Sequence, residues 1–426
     1  MDSLFRSLTR IAVGATLLSA ASAARTMDAP TGVLTLREAL SAAARNNPEL
    51  AAAALGVRAG DGRLQQAGLL PNPTLSAAGE NLGVAAGDSG AEPTQATLRV
   101  AQLVELGGKR AERQRLAALE RDGSQWDYEV RRATVLAETA QRFVAVLSLQ
   151  ERRSLADDLV RLAEQSSHAV DAQVRAGAGA PFESGRARVA LGQAQLSAAQ
   201  REQDLAAARA ALAASWAADR ATFERVSGDL TDIGPPPAID LDAVSRNPDV
   251  ARWTTELDAR SAALRLERSR AVPDVTVSAG PRVFTDSGQV AAVVELGLPL
   301  PLFDRNQGNV AAAAAALAVA AEQQRAATTA VRTALARSIE SMRATYARAV
   351  ALRDDLIPAA HATFTDAQQA YRRGALRYLE VLDAQRNWFE LRDAYLAALA
   401  DYHAARIEMQ RLLGDDLEAA AAGGTG

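Results

Sequence analysis

The chain has 426 residues, of which 48% are hydrophobic, 23% charged and only 4% aromatic. The apolar share is mostly Ala and Leu, with Glu, Arg and Gln between them; these are strong helix formers, and the mixture points to long helices or coiled coils rather than a compact globule. A net charge of −4 with interspersed signs argues against a nucleic-acid surface, and the lack of cysteine excludes disulfides and thiolate metal sites.

Residues 1–23 read as a secretory signal. Arg6 and Arg10 supply positive charge, Ile11 to Ala20 is a short apolar run, and Ala21-Ser22-Ala23 is a small-residue cleavage site. That run is too short to span a bilayer as a helix, which takes about 20 residues. With no cysteine after it, the mature chain is expected to lack a lipid on an N-terminal cysteine. The later run from Val310 to Ala321 is almost all Ala and also stops short. Any membrane crossing must therefore be a β-barrel.

Two repeats follow, over 34–219 and 238–415. Asp157-Asp158-Leu159-Val160 returns as Asp354-Asp355-Leu356-Ile357, and Gly177 returns as Gly374, both at an offset of 197 (354 − 157, 374 − 177). Leu70-Pro71 in the first half corresponds to Val272-Pro273 in the second. Each half reads as helix, proline-marked strand pair, long helix, glycine turn, long helix.

In the first half, strands are predicted at about 73–84 and 95–104. Thr74, Ser76 and Glu80 alternate with Leu75, Ala77 and Gly79; Gln95, Thr97 and Arg99 alternate with Ala96, Leu98 and Val100. The loop Ala85 to Thr94 joins them. From Leu106 to Arg175 no proline interrupts a helical pattern on the order of 100 Å long. A turn at 176–181, with Gly177 and Gly179, sends a second helix back from Phe182 to Ala218.

The halves meet at Gly234-Pro235-Pro236-Pro237, which cannot be helical. Strands are then predicted at about 274–284 and 289–298, with the pattern slipping at Gly280-Pro281 and a short loop from Asp286 to Gly288. Pro358 predicts a kink or short break in the next long helix. A second turn, 372–377, contains Arg373, Gly374 and Arg377, and residues 416–426 read as a flexible tail.

Each strand is about ten residues long, enough to cross a bilayer when tilted, with one polar and one apolar face as for a wet lumen inside lipid. Four strands cannot close a barrel, for which about eight is the practical minimum. Open edges in lipid would leave backbone groups unsatisfied, so the chain needs partners.

Leu70-Pro71-Asn72-Pro73-Thr74-Leu75, and Tyr371-Arg372-Arg373-Gly374 followed by Leu379-Glu380-Val381-Leu382-Asp383-Ala384-Gln385, resemble motifs of the TolC-like outer-membrane efflux family. The segments Leu103 to Arg110 and Pro299 to Gly308 resemble its heavy-metal branch, the CzcC and CusC type. The resemblance covers about Leu34 to Leu413. It implies a mainly α fold with membrane β: duplicated helical hairpins forming an α-barrel, and a homotrimer closing a 12-stranded barrel in outer-membrane lipid.

The resemblance further implies a passive conduit working with a periplasmic adaptor (membrane fusion protein) and an inner-membrane RND pump. Heavy-metal cations of the cobalt, zinc, cadmium and copper class are the expected cargo. A channel for drugs or small organic molecules is the alternative, and a periplasmic coiled-coil adaptor a further one, disfavoured by two hairpins in tandem. A purely structural coiled coil would leave the strands unexplained.

By the same resemblance, Glu380 and Asp383 fall where the closed tube is narrowest, and Tyr371 where a tyrosine holds the closed state. The family's latch arginine falls on Leu376, a departure that leaves open whether adjacent Arg377 replaces it. Gly177, Gly179, Arg373, Gly374 and Arg377 mark the tips expected to dock the adaptor. From the residues themselves, Glu380 and Asp383 share a helix face, and copies around an axis would make acidic rings that attract cations. His168, His361 and His403 lack ligand spacing, so no cofactor, no metal centre and no enzyme activity is expected.

Overall fold

The computed structural model describes residues 30–82, 94–177, 179–285 and 287–423. The proposed signal peptide and most of the first strand loop lie outside them. The chain runs β1 (Gly32–Thr35), α1 (Leu36–Asn46), α2 (Pro48–Ala67), β2 (Thr74–Glu80), β3 (Gln95–Val104), α3 (Lys109–Arg175), α4 (Pro181–Ala214) and β4 (Phe223–Ser227). The second half continues with α5 (Pro248–Arg270), β5 (Val275–Phe284), β6 (Val290–Gly297), α6 (Gln307–Ala351), α7 (Ile357–Arg372), α8 (Tyr378–Leu413) and α9 (Leu417–Gly423).

The duplication shows in a shared capping device. Asn47 accepts from Glu49 N–H at 2.8 Å at the start of α2, while its Nδ2 donates to the Ser215 carbonyl at 2.9 Å, just past α4. Asn247 does the same for α5, accepting from Asp249 N–H at 2.8 Å and donating to the Arg411 and Leu412 carbonyls at 3.1 and 3.0 Å, at the end of α8. Each asparagine thus satisfies orphan groups at the start of one helix and the end of another. Pro48 and Pro248 follow, at first-turn positions that need no donor.

α3 has 67 residues, about 100 Å of helix. It begins at Lys109 rather than Leu106, because Gly107 and Gly108 take φ of 69° and 75° and hold the chain out of helix. A Cβ at Gly107 would lie 2.8 Å from the Val272 side chain. Lys109 is buried against Asp274 at 2.6 Å, and Asp274 also accepts the Leu106 N–H at 2.9 Å. This carboxylate ties the two halves together at the base of the sheet. Asn306, with φ of 60°, takes the corresponding left-handed position ahead of α6.

β2, β3, β5 and β6 form one antiparallel sheet in that order. The register puts Glu80, Thr97, Arg99, Ser278, Arg282 and Glu295 on one face and Leu75, Leu98, Val100, Val277, Val294 and Leu296 on the other. On the polar face Arg282 donates to Thr97 Oγ1 at 3.1 Å and lies 3.9 Å from Glu80, while Arg99 pairs with Glu295. Arg99 stands opposite Gly280, where the β3–β5 ladder is interrupted at Gly280-Pro281. Backbones approach so closely there that a Cβ on Gly280 would lie 1.8 Å from the Leu98 carbonyl oxygen. β2 stops at Glu80, short of residue 84, and all its residues are exposed.

Away from the sheet the rods are held by separate apolar nodes. The central node joins Leu40, Phe143, Leu212, Trp216 and Leu399. A second joins Leu335, Met342, Met409 and Leu412, and a third sits at the far tips. At the central node β1 and β4 form a two-stranded parallel sheet that was not foreseen from sequence. The Gln150 side-chain amide completes it, donating to the Val226 carbonyl at 3.0 Å and accepting its N–H at 2.8 Å. The return helix α4 ends at Ala214, not Ala218, because Ala217 turns to φ of 58°.

The interruption expected at Pro358 is a local one: α6 ends at Ala351, Leu352–Leu356 widens into one π turn, and α7 resumes with Pro358 in its first turn. The tail expected to be flexible from residue 416 instead forms α9. Leu417 is buried in the central node and Glu418 pairs with Arg132, so apolar burial and an ion pair fix it.

Candidate functional site at the hairpin tips

Both hairpins end on a glycine in the left-handed region, Gly177 and Gly374, each with φ of 74°. At the second tip the Gly374 N–H donates to Tyr371 and the Ala375 N–H to Ala370, both at 2.9 Å, closing a C-terminal cap that leaves the loop exposed. Arg373 folds back onto the Gln369 carbonyl at 3.3 Å. Among the described residues, Val170 of α3, Ala187 of α4, Phe364 of α7 and Val381 of α8 share one buried cluster, so the two hairpins are joined here.

The polar link across that joint is Tyr371 to Glu183. The tyrosine hydroxyl donates to Glu183 Oε2 at 3.2 Å. Glu183 occupies the first turn of α4 and is only 8% exposed. Gly179 lies against the same carboxylate; a Cβ there would sit 3.3 Å from Oε2. The Tyr371 and Tyr378 rings are 5.5 Å apart, and Tyr378 is buried. Burial, then the Glu183 charge, pushes both phenols up to about 12. Tyr371 therefore remains a donor at neutral pH.

Glu380 lies in the first turn of α8 and Asp383 in the second. Glu380 is half-buried: one oxygen lies 3.4 Å from Arg377, and the other is buried without a hydrogen-bond partner. Asp383 is exposed. Among the described residues Arg377 pairs with Glu380 of its own helix, and no ion pair or hydrogen bond joins it to the first hairpin.

His361 packs 4.6 Å from Trp388, His168 is exposed, and His403 is half-buried with Nε2 2.9 Å from the Leu230 carbonyl. Among the described residues no group of three or more His, Asp or Glu could hold a metal ion. Between α4 and α8, floored by α3, a groove of about 1290 Å³ runs from Phe182 to Ala397. Leu155, Ala194 and Phe389 line it, with Arg152 and Arg201 at 3.6 and 3.5 Å from Asp393. Sequence reasoning missed Glu183, because an acidic residue in a first helical turn reads as ordinary dipole compensation. It also missed the ring cluster of His361 and Phe364 from α7 with Trp388 and Phe389 from α8.

The family model described as "Outer membrane efflux protein" matches residues 39–218 and 241–415. The chain is 34% identical over 385 residues, 90% of each chain, to the cobalt-zinc-cadmium resistance protein CzcC of Cupriavidus metallidurans. It is 29% identical over 298 residues to the nickel-cobalt-cadmium resistance protein NccC of Alcaligenes xylosoxydans xylosoxydans, covering 70% of this chain and 67% of that one. Among solved structures it resembles CusC, with a TM-score of 0.78, 17% identity and coverage of 91% of this chain and 94% of that one. The corresponding values for VceC of Vibrio cholerae are 0.74, 17%, 89% and 96%. The fold is TolC-like, and the chain belongs to the outer membrane efflux protein family.

Proposed function

We propose that three copies form the outer-membrane conduit of a tripartite pump that exports divalent heavy-metal cations. The observation that carries the assembly is the sheet: its four strands end in two open edges with one apolar and one polar face. Three copies complete a barrel of twelve strands. The identity to CzcC supports metal cations as cargo. Substrate choice then rests with the inner-membrane RND pump, and this chain supplies the wetted path.

The tips dock the periplasmic adaptor through Gly177, Gly179, Arg373, Gly374 and Arg377, and the groove between α4 and α8 supports that reading by offering an arginine-rimmed seat for a helical hairpin. Tyr371 with Glu183 holds the hairpins closed, and Glu380 and Asp383 make the acidic constriction. A deletion strain tests the cargo. It should lose tolerance to cobalt, zinc or cadmium salts, with recovery from a plasmid copy. Unchanged metal tolerance with new sensitivity to organic drugs would instead support the drug-channel reading.

A further inference from the structure

The strand order identifies the seam between copies, since among the described residues β2 and β6 are the free edges of the sheet. β2 runs away from the base and β6 returns to it. Antiparallel continuation of the ladder therefore sets the residues after β6 beside those that lead into β2 of the next copy. Both segments are rich in apolar side chains that their own chain leaves uncovered. Leu300, Leu302 and Phe303 are 71, 65 and 90% exposed; Leu69 and Leu70, with Leu75 at the start of β2 itself, are 52, 61 and 69% exposed. Among the described residues none of these belongs to a buried cluster.

The segment after β6 nonetheless has a fixed shape. The Leu302 N–H donates to the Leu300 carbonyl at 2.9 Å, the Asn306 N–H to Asp304 Oδ1 at 2.8 Å, and Asn306 Nδ2 to the Glu267 carbonyl at 2.7 Å. Pro299 and Pro301 have no N–H, so strand pairing cannot run through them. What the segment can offer a neighbour is side chains in a set position. Exposed Asp304 and Arg305 follow at once, which places Phe303 at the aqueous rim and favours a protein partner over hydrocarbon.

We propose that Leu298–Phe303 is an inter-subunit clasp: its apolar side chains cover the Leu69–Leu75 segment of the next copy and close each seam at the base of the barrel. This rests on the trimeric-channel reading above.

The chain has no cysteine, so introduced thiols are the only ones present. Phe303→Cys is combined in turn with Leu70→Cys and Leu75→Cys, and outer-membrane fractions are oxidised. At least one pair should give a reducible ladder up to the trimer, whereas each single variant should stay uncrosslinked. A trimer by native mass with no cross-link from either pair overturns the clasp and leaves the channel standing. A monomer overturns the channel reading, and the clasp with it. Phe303→Trp strongly quenched by brominated phospholipid would assign the segment to lipid and also count against the clasp.

Discussion

Replacing Tyr371 by Phe removes one hydroxyl and little else, so it isolates the link between the hairpins. The bond it deletes ends on a carboxylate that is 8% exposed, and hydrogen bonds to charged groups contribute about 1.5–3 kcal/mol. Tyr371 itself is half-buried, so screening argues for the lower value. Three copies opening together would lose about 4.5 kcal/mol, and about 1.4 kcal/mol is a factor of ten. The open-to-closed ratio should therefore rise by roughly three orders of magnitude. The assay is open probability of single channels in planar bilayers. Glu183→Gln, which keeps an acceptor without the charge, should fall between wild type and Tyr371→Phe. The phenol is pushed from its ordinary 10.0 up to about 12, so the protonated donor is favoured by the fold. Its contribution is fully present below the ordinary value and lost as pH rises through the shifted one. Opening should thus be flat across neutral pH as far as this group is concerned. Wild-type open probability in Tyr371→Phe would refute the latch.

Other expectations follow from single positions. Replacing Glu380 and Asp383 together with Asn should reduce cation preference in reversal-potential measurements; unchanged selectivity would remove the acidic-ring assignment. Gly280→Ala sets a Cβ 1.8 Å from the Leu98 oxygen, so β3 and β5 must separate, and the SDS-resistant oligomer should be lost on gels. Asn247→Ala removes a helix cap and leaves two carbonyls at the end of α8 without their donor, costing about 2–4 kcal/mol; thermal unfolding by circular dichroism in detergent should show the loss. Burial lowers the His403 pKa from 6.5 despite its bond to Leu230 and nearby Asp229 and Asp232, with Arg406 acting in the same direction as burial. The fold therefore favours neutral imidazole, and its contribution is present above the ordinary pKa and lost as pH falls through the lowered one. His403→Gln should flatten that acid limb of Tm against pH.

The strands and rods were legible because each depends on short-range periodicity and on proline and glycine positions. The slip at Gly280-Pro281 was visible for the same reason, since only the missing Cβ and N–H had to be read. What sequence did not reveal was built from contacts distant along the chain. The β1–β4 pair joins residues 32–35 to 223–227 and depends on Gln150 from a third element. α9 holds its place through Leu417 in a core assembled from both halves. The repeated Asn-Pro at 47–48 and 247–248 was readable but went unread, because its second role emerges only when the neighbouring helix ends arrive. At the tips, Tyr371 was identified by resemblance, while Glu183 lay 188 residues away with no motif around it.

Native mass spectrometry of protein extracted from outer membranes in mild detergent bears most directly on whether neighbouring copies complete the wall. A single species of three chains is the predicted result. A folded single chain that stays soluble without detergent would contradict it.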